Sequence, residues 1–285
     1  MKFDTLLHKI TERIGPRQGH QGDQTTAPTM SGAVRFPYGP FQFKVRLNRG
    51  ALYELQASTE MHNWRTIANG TAAADALDYV DSEASKHSYR FYRVVANGVV
   101  SDNLLGYASI TLPPGFSLIA NPLHAPNNAV AELFKGWPDG TTLNKFDTRF
   151  FRLSENAVAH GKWTNASEQL SPGEGAIFYN PTQDYKHHSF VGEVMQGHLS
   201  MPIPAGFSMR SSLVPQPGLL QEDLHFPITE GDVIHLFDRD RQKYVLYPFE
   251  NGKWQSGAPV ISLGESFWVA KTSAGNWTRS FTTAE

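Results

Sequence analysis

The chain has 285 residues, with 25 Lys and Arg against 27 Asp and Glu and a net charge of −2. That balance argues against a nucleic-acid or anionic-membrane protein, which carries a basic excess to neutralise phosphates. Apolar residues at 40% and aromatics at 12% exclude wholesale disorder, while the lack of cysteine excludes disulfides, thiolate metal sites and cysteine nucleophiles.

No stretch approaches the roughly 18 apolar residues of a membrane-spanning helix. The start of the chain also lacks the apolar core of a secretory leader, so export would need another route or a leader no longer present. Phe3, Leu6, Leu7, Ile10 and Ile14 recur at intervals of three and four and line one face of a helix, which Gly15-Pro16 ends. Residues 17–33, rich in Gly, Gln, Thr, Pro and Ser, read as an extended linker. Residues 1–36 are therefore expected to form a short amphipathic helix and an arm. Such a helix is marginal alone, so its apolar face needs a surface. That surface could be its own domain, a neighbouring subunit or a lipid layer.

From Phe41 the pattern changes to short alternating strands. Phe41, Phe43, Val45 and Leu47 share one face; Tyr53, Leu55 and Ala57 share another; Tyr89–Val95 is a third strand, closed by Asn97-Gly98. Residues 37–108 are predicted to form one small antiparallel sandwich. The run Tyr89-Arg-Phe-Tyr-Arg-Val-Val-Ala-Asn-Gly98 resembles the penultimate strand and hairpin of a fibronectin type III or immunoglobulin-like module. Together with Tyr53–Thr59, Asn63-Trp64 and Asp81, it is similar to a module of uncharacterised surface-type proteins from planctomycete and verrucomicrobial bacteria. The resemblance implies a sandwich and no chemistry.

The remainder repeats itself. Leu112-Pro-Pro-Gly-Phe-Ser117 returns as Ile203-Pro-Ala-Gly-Phe-Ser208, an offset of 91. The same offset relates Phe146-Asp147 to Phe237-Asp238, Gly161-Lys-Trp163 to Gly252-Lys-Trp254, and Ser171-Pro-Gly-Glu174 to Ser262-Leu-Gly-Glu265. Residues 109–195 and 196–285 are read as two β repeats of about 91 residues that pack as pseudo-symmetric halves. Only Val130–Lys135 hints at a helix. The fold expected is thus all-β: a fibronectin-like sandwich followed by a duplicated β domain. Parts of this second region, Pro114–Pro122 and Gly173-Glu-Gly175, also resemble repeats that follow the module in those bacterial proteins.

Chemistry is harder to find. The sequence holds no nucleophile elbow, zinc-protease helix, phosphate loop or dinucleotide fingerprint, and it implies no cofactor or metal. His187 and His188 are adjacent, so on a strand they face opposite sides and cannot chelate one ion; they read as surface or linker residues. Asp238-Arg-Asp-Arg241 reads as a solvated turn, and Asp75, Asp78 and Asp81 lack the further oxygen ligands of a calcium loop. The repeated Asp147/Asp238, Lys162/Lys253 and Glu174/Glu265 are residues both copies need to fold, unless they form two equivalent sites.

The sequence therefore points to a non-catalytic structural or interaction protein, a subunit of a surface, extracellular or particle-like assembly. It would associate with itself or another subunit through Phe3, Leu6, Leu7, Ile10 and Ile14. The alternative is a carbohydrate-binding module with Trp64, Trp163 and Trp254 as sugar-stacking platforms. An enzyme comes third.

Overall fold

In the computed structural model of the chain, residues 26–36 and 39–282 are described; the segment predicted as an amphipathic helix, with Phe3, Leu6, Leu7, Ile10 and Ile14, lies outside them. The described residues are nearly all β, in antiparallel sheets. Helical structure among them amounts to a 3-10 turn at Ser82–Lys86 and helix α1 at Val130–Leu133. No helix among them is long and apolar enough to cross a membrane.

Strands β1 (Thr29–Arg35), β2 (Phe41–Arg46), β3 (Leu52–Ser58), β4 (Arg65–Thr71) and β5 (Ala76–Asp81) precede the 3-10 turn. After it come β6 (Tyr89–Ala96), β7 (Val99–Val100) and β8 (Leu105–Leu112). One sheet runs β1-β2-β5; a second contains β4-β3-β6-β8, with β7 paired to β6. Alternation dictates the core: Phe41, Phe43 and Val45 from the first sheet meet Leu55, Tyr92 and Tyr107 from the second. The Phe41 ring stacks on Tyr92 at 5.0 Å and lies 5.1 Å from Tyr107. Such ring pairs contribute about 0.5–1.5 kcal/mol beyond their buried area.

The first unit starts earlier than expected. Thr29–Arg35, assigned from composition to a linker, is a strand paired with β2, and Met30 is buried. Asn103 clamps it, accepting from the Met30 amide at 2.9 Å and donating to its carbonyl at 2.7 Å. Small polar residues concealed this strand because backbone pairing, not side-chain burial, holds most of it.

A buried polar network fixes the 3-10 turn. One carboxylate oxygen of Asp81 accepts from Arg90 at 2.8 Å and Tyr92 at 2.7 Å; the other accepts from the Glu83 amide at 2.9 Å. Tyr107 donates to the Ala84 carbonyl at 2.7 Å, and burial pushes its phenol up to about 12, so it stays a donor.

The next strands are β9 (Gly115–Ile119), β10 (Thr142–Asp147), β11 (Arg152–Ala159), β12 (Lys162–Trp163), β13 (Ala176–Asn180) and β14 (Lys186–Glu193). The last group is β15 (Gly197–Ile203), β16 (Gly206–Arg210), β17 (Gly218–Leu219), β18 (Val233–Asp238), β19 (Lys243–Glu250), β20 (Lys253–Trp254), β21 (Val260–Ile261), β22 (Phe267–Lys271) and β23 (Gly275–Phe281). Sheet β12-β11-β10-β13-β9 has the same order as β20-β19-β18-β22-β16, and each strand range of the first becomes its counterpart's when 91 is added. The hairpin turns match too: His160-Gly161 and Asn251-Gly252 have left-handed backbones, the two-residue geometry that suits the twist of paired strands.

Contacts between the two blocks are reciprocal. The Ala120 amide donates to Gly264 at 2.9 Å, and Ser211, 91 residues later, donates to Gly173 at 3.0 Å. Gly173 has φ of +91°, a backbone that strains any side-chain-bearing residue, and a Cβ there would also have to displace the ends of Leu213 and Met201, each 2.8 Å away. β14 departs from the expected boundaries: all eight of its residues pair with β8, completing the large sheet of the first unit as β14-β8-β6-β3-β4. Its counterpart β23 pairs with β15 in a separate two-stranded sheet.

A buried pair distinguishes the two blocks. Asp232 and Lys271 form an ion pair with almost no exposure, where the first block has Thr141 and Asn180. Burial pushes the Asp232 carboxyl up, but Lys271 and the Thr272 and Thr229 donors outweigh it and hold it below the ordinary aspartate range. A depressed carboxylate contributes stability above about pH 4 that is lost as pH falls through its folded value. Lys271→Ala should cost about 3–5 kcal/mol by denaturant titration at pH 7, because it leaves a buried charge alone. The double change Asp232→Thr with Lys271→Asn, copying the first block, should recover most of that loss.

Candidate functional site

The structure separates the predicted residues. Trp163 is 8% exposed; its ring packs edge-on against Phe134 and its Nε1 donates to the Phe134 carbonyl at 3.3 Å. It is a core residue, which corrects the expectation of a sugar platform there: a ring that closes a core cannot stack on a ligand. Trp254 is half-buried, edge-on to Phe249 at 5.2 Å, and Trp64 has the Arg93 guanidinium 4.5 Å from its ring centre. The three indoles belong to three different core clusters and make no common surface.

The repeated acids close loops. Asp147 accepts from the amides of Arg149 and Phe150, and Asp238 from those of Asp240 and Arg241. Glu174 and Glu265 each accept from the serine amide three residues earlier, at 2.8 and 2.9 Å. Asp75 accepts from the Arg49 amide, Asp78 pairs with Lys44 and Asp81 is buried, so these three do not converge. No group of three or more His, Asp or Glu side chains among the described residues could hold a metal ion.

Of the two adjacent histidines, His187 is exposed but His188 is buried, which corrects its assignment to the surface. Its ring stacks on Phe134 at 4.5 Å and meets Phe190 edge-on at 4.6 Å. Burial lowers its imidazole to about 4.

Two surface features were not expected. The first is aromatic. The β10–β11 hairpin ends in Phe150 and Phe151, which are 58% and 66% exposed. Phe151 lies 5.2 Å from Phe146, which is 4.8 Å from Trp268; Phe151 also reaches Phe207 at 6.4 Å. Trp268 donates to the Tyr244 hydroxyl at 3.3 Å. A strip of rings thus crosses from one block to the other. In the equivalent hairpin, Gln242 replaces Phe151 and bonds the Phe116 backbone at 2.8 and 2.9 Å. The adjacent Phe150-Phe151 pair was the available signal, since consecutive residues cannot both turn inward.

The second feature is a groove of about 570 Å³ beside the first unit. β8 and β14 extend past the part of their sheet that covers the Phe41 core, and Ser109 and Ser189, bonded to each other at 2.7 Å, line the space this leaves. Arg35, Ser85, Lys86, His87 and Ser88 line it from the first unit, and Lys135–Pro138 and Lys186 from the second. Among the described residues, no Asp or Glu lines it. Burial and, secondarily, Arg90 hold His87 below the usual imidazole range, leaving it neutral at pH 7.

No protein-family model matches the chain, and no curated protein matches it in sequence. Function must therefore be inferred from geometry.

The buried His188 gives a pH prediction. Its lowered value means that protonation opposes folding, so stability is full above about pH 6.5 and falls as pH drops towards 4. A tenfold change in proton affinity is worth about 1.4 kcal/mol. His188→Leu should reduce the loss of unfolding free energy between pH 7 and pH 5 by about 1–2 kcal/mol; an unchanged pH profile would contradict this assignment.

Proposed function

We propose that the chain is a non-catalytic structural or interaction protein, a subunit of a surface, extracellular or particle-like assembly. In this reading its body is a fibronectin-like sandwich joined to a duplicated β unit. The matched strand ranges and reciprocal bonds of the two blocks support duplication. The aromatic strip that runs from the exposed Phe151 and Phe207 through half-buried Phe146 to Trp268 carries the proposal, because a patch of linked rings on a folded body marks an interaction surface.

Its occupant is the N-terminal segment of a second copy. Twenty-five residues precede the first described one, and they carry Phe3, Leu6, Leu7, Ile10 and Ile14 at helical spacing. Burying each such side chain contributes about 1.5–3 kcal/mol. Association costs roughly 4–15 kcal/mol in lost freedom, so most of the five must engage together. Docking an amphipathic segment against an apolar strip is a recurrent mode of recognition. The alternative carbohydrate reading loses one of its three proposed platforms, Trp163, to the core, while Trp64 and Trp254 are half-buried in separate clusters.

Light scattering tests this. The full chain should be oligomeric at micromolar concentration. Deletion of residues 1–25, which spares β1, should give a monomer with an unchanged melting temperature. Phe150→Asp with Phe151→Asp should do the same, since both side chains are exposed. A monomeric full chain, or oligomers that survive both changes, would overturn the proposal.

A further inference from the structure

The groove between the first unit and the Lys135–Pro138 loop has an unbalanced chemistry. Its charged lining is Arg35, Lys86, Lys135 and Lys186, in a chain whose net charge is −2. Lys86 is neutralised by Glu83, but neither Lys135 nor Lys186 has an ion pair among the described residues. Arg35 is the most unusual. Its guanidinium lies 4.4 Å from the Tyr107 ring centre and donates one bond, from Nη2 to the Ala84 carbonyl at 3.1 Å. Its Nε and Nη1 are buried with no hydrogen-bond partner among the described residues. Buried donors are nearly always satisfied, so these two leave the Arg35 charge uncompensated in the groove wall.

The groove's remaining chemistry narrows the ligand. Four serine hydroxyls line it: Ser109 and Ser189 bond each other and Ser85 donates to the Ser82 carbonyl, but each keeps acceptor capacity, which with Ser88 suits a hydroxyl-rich molecule. Trp137 adds one aromatic side chain, half-buried and edge-on to Phe178 at 4.7 Å. The volume lies within the range of roughly 300–1,000 Å³ typical of small-ligand sites. A nucleic-acid strand would instead call for a run of stacking aromatics and an extended basic track. We propose that this groove binds an acidic oligosaccharide, with its sulfate or uronate groups on Lys135 and Lys186 and the Arg35 charge behind them in the wall. The inference goes beyond the assembly reading and is independent of it, because none of these residues lies in the aromatic strip.

Calorimetric titration of the full chain tests it with four probes: a heparin-derived sulfated tetrasaccharide, a galacturonate tetramer, neutral maltotetraose and an eight-nucleotide oligothymidylate. At least one acidic saccharide should bind, and maltotetraose should not. Lys135→Ala with Lys186→Ala should weaken that binding at least tenfold without moving the melting temperature. Whichever acidic saccharide binds more tightly identifies the charged group as sulfate or carboxylate. Failure of both acidic saccharides to bind, or undiminished binding by the double variant, would overturn the proposal. So would oligothymidylate binding as tightly as either saccharide, which would mark a general phosphate surface.

Discussion

The β8–β14 ladder is the constraint on which the rest of the molecule depends. A strand in the middle of a sheet must satisfy backbone donors and acceptors on both edges. β8 meets this on one side with β6, its near neighbour in sequence. On the other it waits for a strand some eighty residues downstream, and eight residues of β14 then pair in continuous register from Leu105 to Leu112. His124 and Glu193 extend the junction with two further backbone bonds at 2.8 and 2.9 Å. The first unit is therefore not a separable bead on a string: part of its sheet belongs to the chain that follows. The same extension of β8 and β14 leaves Ser109 and Ser189 to line the cationic groove.

The second block solves the same problem differently. Its equivalent strands, β15 and β23, pair with each other and join no larger sheet, so among the described residues their outer edges have no strand partners. The two blocks hold each other through short reciprocal backbone contacts at Gly173 and Gly264, where side chains would obstruct the approach. Around these shared contacts the blocks diverge. One keeps a neutral Thr141 and Asn180 where the other buries an ion pair, and one exposes Phe151 where the other places Gln242 against the Phe116 backbone. Most shared positions are turns, caps and core, although the shared Phe116 and Phe207 are exposed; these differing ones reach the surface or charge the interior.

Much of the fold could be read locally. The alternation through Phe41, Phe43 and Val45, the glycine turns at 161 and 252, and the helical hint at Val130 all act over a few residues. β1 escaped because Thr29-Met-Ser-Gly-Ala carries little apolar signal, and its stability comes from pairing with β2. The β8–β14 pairing escaped because register between distant strands leaves no local mark. The groove was invisible for the same reason: Arg35, Lys86, Lys135 and Lys186 are spread along half the chain, and each alone reads as a solvated charge. For the tryptophans the difficulty was different, since an indole beside a turn serves equally as core or platform until its packing is known.

Amide hydrogen exchange, followed residue by residue, tests the shared sheet most directly. If β8 and β14 close one cooperative body, their amides should exchange at the rate of those in β6, at the slow limit set by global unfolding. Exchange through β14 that is orders of magnitude faster than in β6, with β8 losing protection alongside it, would show two separately folding pieces and contradict this account.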